Sequence, residues 1–189
     1  MTDPLLIDLP DAFETERLSI RTPRAGDGAL LLPALQESIG QLRMFLGSLP
    51  WVAADQTLES AEVFCRKAQA NFLGRIDFPF LLVEKGSGDI VGVVGLHRVN
   101  FAVPKAEIGY WVRTSRAGRG YITEAVAAAC AYAIDHIRAV RLEIVTDEDN
   151  LPSRRVAECC GFTLEGTFRH DRRAQEGDLR STCIYARLP

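Results

Sequence analysis

Residues 112–126 read Val112-Arg113-Thr114-Ser115-Arg116-Ala117-Gly118-Arg119-Gly120-Tyr121-Ile122-Thr123-Glu124-Ala125-Val126. The apolar strand pattern Ile108-Gly109-Tyr110-Trp111-Val112 leads into this basic turn with its two glycines, and the turn leads straight into an alanine-rich helix. Backbone amides, a helix N-terminus and the cations Arg113, Arg116 and Arg119 therefore converge on one point, which suits an anionic phosphate. Taken alone, the Gly118-Arg119-Gly120 pair is equally a strand-to-helix turn carrying solvated arginines. Neither the Gly-x-x-x-x-Gly-Lys-Ser/Thr loop nor the dinucleotide fingerprint Gly-x-Gly-x-x-Gly is present at Gly118.

Outward from the turn, the helix is predicted from about Gly120 to His136, with Ile122, Ala125, Val126, Ala129, Ala133 and Ile137 on one face. Upstream, Phe78–Glu84 and Ile90–Leu96 read as strands around the turn Lys85-Gly86-Ser87-Gly88-Asp89, with a third strand at Lys105–Val112. Downstream come a strand at Leu142–Val145, a short helix at Pro152–Cys160 stopped by Gly161, a strand beginning at Phe162, a charged loop from Asp171 to Asp178 and a last strand at Thr182–Leu188. A helix between the strands at 105–112 and 142–145 is a crossover, so these two should pair in parallel through a right-handed connection.

The N-terminal part is expected to hold a loose lead-in over residues 1–14 and a half-buried strand at Arg17–Arg21. Leu31, Leu35, Ile39 and Leu42 recur at helical spacing, but Pro33 and Gly40 predict two short helices between Gly28 and Met44. Asp55 or Thr57 should cap a further helix ending at Gly74, its apolar face formed by Leu58, Ala61, Val63, Phe64, Ala68 and Phe72. Pattern alone thus gives a mixed α/β or α+β fold.

The chain has 189 residues, of which 47% are apolar, enough for one domain with a sizeable core. Its net charge of −3 speaks against a general nucleic-acid binder. The 5 cysteines follow no disulfide framework or metal-ligand spacing, so reduced thiols and no metal are expected. No signal-peptide pattern or membrane-length apolar run is seen, which points to the cytoplasm and away from the membrane.

Glu107-Ile108-Gly109-Tyr110-Trp111-Val112, then Gly118-Arg119-Gly120-Tyr121 and Thr123-Glu124-Ala125, resemble the acetyl-CoA-binding core of the GNAT acyltransferases. Asn150-Leu151-Pro152-Ser153, Val156-Ala157 and Gly161-Phe162-Thr163-Leu164-Glu165-Gly166 resemble the RimJ/RimL-type N-acetyltransferases, as do the opening Glu14–Arg21 and the closing Tyr185–Leu188. The likeness spans residues 14 to 188. It departs from the family at Ser115, where the pyrophosphate loop usually has Gln or Arg.

The resemblance implies one acetyltransferase domain: a central, mostly antiparallel sheet with one parallel pair splayed at the cofactor groove, flanked by helices. It implies acetyl transfer from acetyl-CoA to a primary amine by direct attack, with no metal. The preferred acceptor is the N-terminal α-amino group of a ribosomal or other protein. Small amines, amino acids and amine-bearing antibiotics are alternatives, as is a non-catalytic acyl-CoA-binding domain, and the expected assembly is a monomer or homodimer.

Under that resemblance the pyrophosphate falls to Arg113, Arg116, Ala117, Gly118, Arg119, Gly120 and Tyr121. The pantetheine arm lies along the backbone of Tyr110, Trp111 and Val112. Glu107 is the candidate base, against the alternative of a solvated strand carboxylate. The tyrosine that many members carry seven residues after the asparagine is replaced by Ala157. Ser153 is then the polar group left to protonate or hydrogen-bond the departing thiolate, with Asn150 binding the pantetheine amide or capping the helix. Glu165 is expected to hydrogen-bond structurally.

Overall fold

One pair of strands decides the architecture. In the computed structural model, which describes residues 3–174 and 177–189, β5 (Lys105–Val112) and β6 (Arg141–Asp147) are the parallel pair of an otherwise antiparallel sheet. The sheet has 8 strands in the order β1-β2-β3-β4-β5-β6-β8-β7, the others being β1 (Ala12–Glu14), β2 (Leu18–Arg21), β3 (Phe78–Glu84), β4 (Ile90–Asn100), β7 (Thr163–Arg173) and β8 (Leu179–Arg187). Parallel pairing begins at Lys105↔Arg141 and stops at Glu107↔Glu143. Beyond that point β5 pairs only with β4, as far as Val112↔Gly92, and β6 only with β8, as far as Asp147↔Thr182. The sheet forks there, and the residues from Ile108 on one side and Ile144 on the other diverge.

Helices cover both faces. On one, α4 (Tyr121–Tyr132), extended by a π-helical turn at Ala133–Ile137, buries Ala125, Val126, Ala129 and Ala133 with Leu82, Val94, Leu96 and Ile108. Small side chains let the helix axis lie close to the strands. On the other face, α1 (Gly28–Leu46) and α3 (Leu58–Leu73) bury Leu31, Ala34, Leu35, Ala61 and Cys65 against Leu81, Ile90 and Val93. A short α2 (Pro50–Ala53) links them, and α5 (Leu151–Cys159) follows β6.

Several expectations need correction. Residues 28–46 form one helix and not two, although a helix-interior proline costs roughly 3 kcal/mol. Pro33 and Gly40 are both exposed, so neither interrupts the buried stripe Leu31, Ala34, Leu35, Ser38 and Leu42 that holds the helix on the sheet. The lead-in is partly built: β1 pairs with β2, and Phe13 stacks on Tyr132 with centroids 5.0 Å apart. Thr57 caps α3 in a reciprocal pair with Ser60, but the inward face is Ala61, Cys65, Ala68 and Phe72, leaving Leu58, Val63 and Phe64 exposed. The charged loop is shorter than expected, because Asp171–Arg173 belong to β7; Gln175 and Glu176 lie outside the described residues. No helix of the described residues is long and apolar enough to cross a membrane.

Candidate active site

The glycine turn is braced from beneath by carboxylates. Arg113 N donates to Val91 O at 2.8 Å, a short 3₁₀ turn covers Thr114–Arg116, and Gly118 (φ +73°) and Gly120 (φ +80°) carry the chain into α4. From α1, Glu37 accepts from Arg113 Nε and from Ser115 N, each at 2.6 Å, while Ser38 Oγ accepts from Thr114 N at 3.0 Å. The Ser115 side chain, together with the Arg113 guanidinium and the Ser115 amide, holds the Glu37 carboxyl down at about 2. Arg116 Nη2 lies 3.0 Å from Asp89 and 3.3 Å from Glu84, and Glu84 also accepts from the Tyr121 hydroxyl. Arg17, ion-paired to Glu124, donates to Arg119 O at 2.9 Å and lies over the Tyr121 ring.

The turn therefore divides its cations. Arg113 and Arg116 are neutralised by protein carboxylates, whereas the Arg119 guanidinium has no ion-pair partner among the described residues. The amides of residues 118–123 find no protein acceptor there either. Such donors stay satisfied only by water or by an anion. A side chain added at Gly118 would meet nothing within 4 Å, and one at Gly120 only Arg17 Nη2 at 3.4 Å. The space in front of both glycines is open, and the amides, the helix N-terminus and Arg119 fit a pyrophosphate.

At the fork, the two sheet faces carry different chemistry. Glu107 and Trp111 lie on the α1/α3 face, where Trp111 packs beside Val93. Glu107 Oε2 accepts from Arg98 Nη1 at 2.5 Å, and Arg98 has the left-handed φ of +50° at the irregularity where β4 slips against β5. A cavity of about 330 Å³ opens here, lined by Ala106, Glu107, Glu143, Val145, Phe168 and Asp171 among others. Its carboxylates are partly tied: Arg141 donates to Glu143, and Asp171 accepts from Thr182. Arg141 also grips Glu165 through two contacts of 2.9 and 2.6 Å.

The opposite face carries Tyr110 and the start of α5. Asn150 Oδ1 accepts from Ser153 N at 3.2 Å, so its side chain caps this helix. The Tyr110 hydroxyl lies 3.0 Å from both Ser153 O and Ser153 Oγ, and burial pushes it above the usual phenol range. Ala157 is fully buried against the main core, so α5 offers no phenol of its own. Alternation along β5 puts Tyr110 opposite Glu107 in facing, but nothing in the spacing tells that α5 starts beneath its hydroxyl.

The cysteines and the other histidines make contacts of their own, while His97 pairs across from Glu107 with its ring in the space a Gly109 side chain would take. Burial pushes the Cys65 and Cys130 thiols up to about 12 and raises that of Cys160, which donates to Thr123 O. Cys159 is exposed. His97 reaches Asp77 only at 3.6 Å, His136 packs on Tyr132, and His170 is exposed on β7.

Residues 17–163 match the family model described as the acetyltransferase (GNAT) domain. A putative ribosomal N-acetyltransferase, YdaF, of Bacillus subtilis is 37% identical over 82 residues, 43% of this chain; the aligned stretch spans 45%, less than half, of that relative's own length. The ribosomal-protein-serine acetyltransferase of Escherichia coli is 33% identical over 65% of this chain and 67% of its own. Among solved structures, the microcin C7 self-immunity acetyltransferase MccE, in complex with acetyl-CoA and AMP, has the same fold at a TM-score of 0.86, with 21% identity over 95% of this chain and 97% of that one.

Proposed function

Because the chain belongs to the GNAT acetyltransferase family, we propose that it moves an acetyl group from acetyl-CoA to a primary amine, the preferred acceptor being the α-amino group of a protein. The observation that carries this is the fork in the sheet. Where β5 and β6 part, a cavity whose lining sets the carboxylates Glu107, Glu143 and Asp171 against the cations Arg98 and Lys105 opens on one face and the Ser153 hydroxyl stands on the other, so an amine and a thioester can meet between the strands.

Each chemical task has a group to perform it. Acetyl-CoA is held at its pyrophosphate by the amides of residues 118–123 and by Arg119, and along its pantetheine arm by the free edge of Tyr110–Val112. The acceptor ammonium enters among Glu107, Glu143 and Asp171, and Glu107, with one oxygen held by Arg98, accepts the proton that the amine sheds. An α-amino group, with a reference pKa near 8, is neutral far more often at physiological pH than lysine near 10.4. As the C–N bond forms and the C–S bond breaks, Ser153 meets the charge that develops on sulfur.

Support for a protein acceptor comes from relatives named for ribosomal proteins. The direct test is acetyl-CoA consumption with peptides of varied N-termini, free amino acids and aminoglycosides. Peptides should be used best; a strong preference for aminoglycosides would reassign the acceptor. Binding of acetyl-CoA with no amine acetylated would point to a sensing domain.

A further inference from the structure

We propose that the Tyr110 side chain is a positioning residue: its hydroxyl turns the Ser153 hydroxyl proton toward the departing sulfur. The proposal rests on the function proposed above and concerns a group that backbone contacts to the pantetheine arm do not use.

The Tyr110 phenol has one proton and two acceptors at equal distance, Ser153 O and Ser153 Oγ, both at 3.0 Å. When it donates to the carbonyl, the serine hydroxyl can donate back to the phenol oxygen, and its proton is turned inward. When it donates to Oγ, the serine proton is released from the phenol and free to face the fork. The exchange needs rotation of hydroxyl protons alone, since both heavy-atom distances are already those of a hydrogen bond. Asn150 makes the arrangement firm by fixing the Ser153 amide at 3.2 Å.

A phenol in this place supports the serine and does not replace it. Burial keeps the Tyr110 hydroxyl protonated, so it serves as a donor and not as the source of the proton. In the net reaction the C–N bond forms, the C–S bond breaks and sulfur leaves with the electron pair. The proton lost by nitrogen is regained by sulfur, and both hydroxyls end as they began.

The test compares the wild type, Tyr110→Phe, Ser153→Ala and the double variant, with CoA as the probe. The thiolate absorbance of bound CoA, followed across pH, gives the thiol pKa in each complex, and steady-state kinetics give kcat and KM. Phenylalanine keeps the ring packing. Loss of one neutral hydrogen bond should raise the bound-thiol pKa by about half to one unit and lower kcat about 3- to 10-fold, with CoA affinity unchanged and the thermal midpoint lower by only about 2–4 °C. The double variant should match Ser153→Ala, because Tyr110 acts through the serine. A wild-type thiol pKa and kcat in Tyr110→Phe, or effects of the two substitutions that add independently, would overturn the proposal. Failure of the wild type to bind CoA would overturn the function itself, a result distinct from either of these.

Discussion

Glu37 Oε2 lies 2.6 Å from Arg113 Nε, so a carboxylate in the middle of α1 holds the end of β5 where the glycine turn begins. Its other oxygen takes the Ser115 amide at 2.6 Å, and the Ser115 side chain acts on the same carboxylate, which ties the atypical Ser115 to α1. The glycine turn is thus anchored to the helix that packs on the Trp111 face of the sheet.

This anchor predicts an acid limit. The Glu37 carboxyl is held at about 2 against an ordinary 4.5, so its stabilising contribution is complete above pH 4.5 and is lost as pH falls toward 2. Thermal midpoints of the wild type and Glu37→Gln should therefore differ above pH 4.5 and converge as pH approaches 2. The substitution should also weaken CoA binding about threefold by loosening the turn. Parallel curves across the whole range would show that Glu37 contributes no such linkage.

Arg119 and Arg113 should separate binding from structure. Arg119→Ala is expected to weaken CoA binding roughly 10-fold, an effect that shrinks at high salt, with unchanged thermal stability. Arg113→Ala should cost up to about 1 kcal/mol of stability through loss of the Glu37 pair. Calorimetry at two salt concentrations, beside denaturant titration, reads both.

Gly118 isolates the approach of a ligand to the backbone. Its surroundings are open, so alanine there meets only the penalty of a left-handed backbone, about 1–2 kcal/mol. Loss of CoA affinity beyond that figure reports the ligand. Gly120→Glu, which puts an anion at the N-terminus of α4, should abolish CoA binding; unchanged affinity would move the pyrophosphate elsewhere.

Asp147 should set stability at the far end of β6. Its buried carboxylate receives Arg172 and, at 2.9 and 2.7 Å, Arg180, while Arg172 also donates to Phe45 O. This joins β6 to the β7–β8 hairpin and to the end of α1. The arginines hold the Asp147 carboxyl below the ordinary 3.8 despite its burial, so its contribution is present above that pH and fades in acid. Asp147→Asn should destabilise the protein by about 3 kcal/mol, because it strands paired charges. Urea titration at neutral pH checks the figure.

How far the sequence reveals the molecule depends on the range of the cause. The β3–β4 hairpin and the β5–β6 crossover are legible because a turn signal and a connecting helix dictate them locally. α1 is misread because Pro33 and Gly40 count as breakers until their exposure is known. Of the turn's arginines, sequence shows the charges but not the partners: Glu37, Glu84 and Asp89 come from other elements and leave Arg119 without an ion pair among the described residues. Asn150 and Ser153 can be picked out from their motif, whereas Tyr110 can be placed on a strand face but not beside Ser153. Long-range juxtaposition of this kind follows from the packing of α5 against α4 and β6, which no local pattern encodes.

The central claim is amine acetylation at the fork, and it is tested most directly by incubating the protein with acetyl-CoA and a set of peptides, then locating the acetyl group by mass spectrometry while counting free CoA thiol. The expected result is one acetyl group on the peptide α-amine for each CoA released, with the yield falling sharply in Ser153→Ala. Acetyl-CoA bound tightly but released only by hydrolysis, with every amine unmodified, would contradict it.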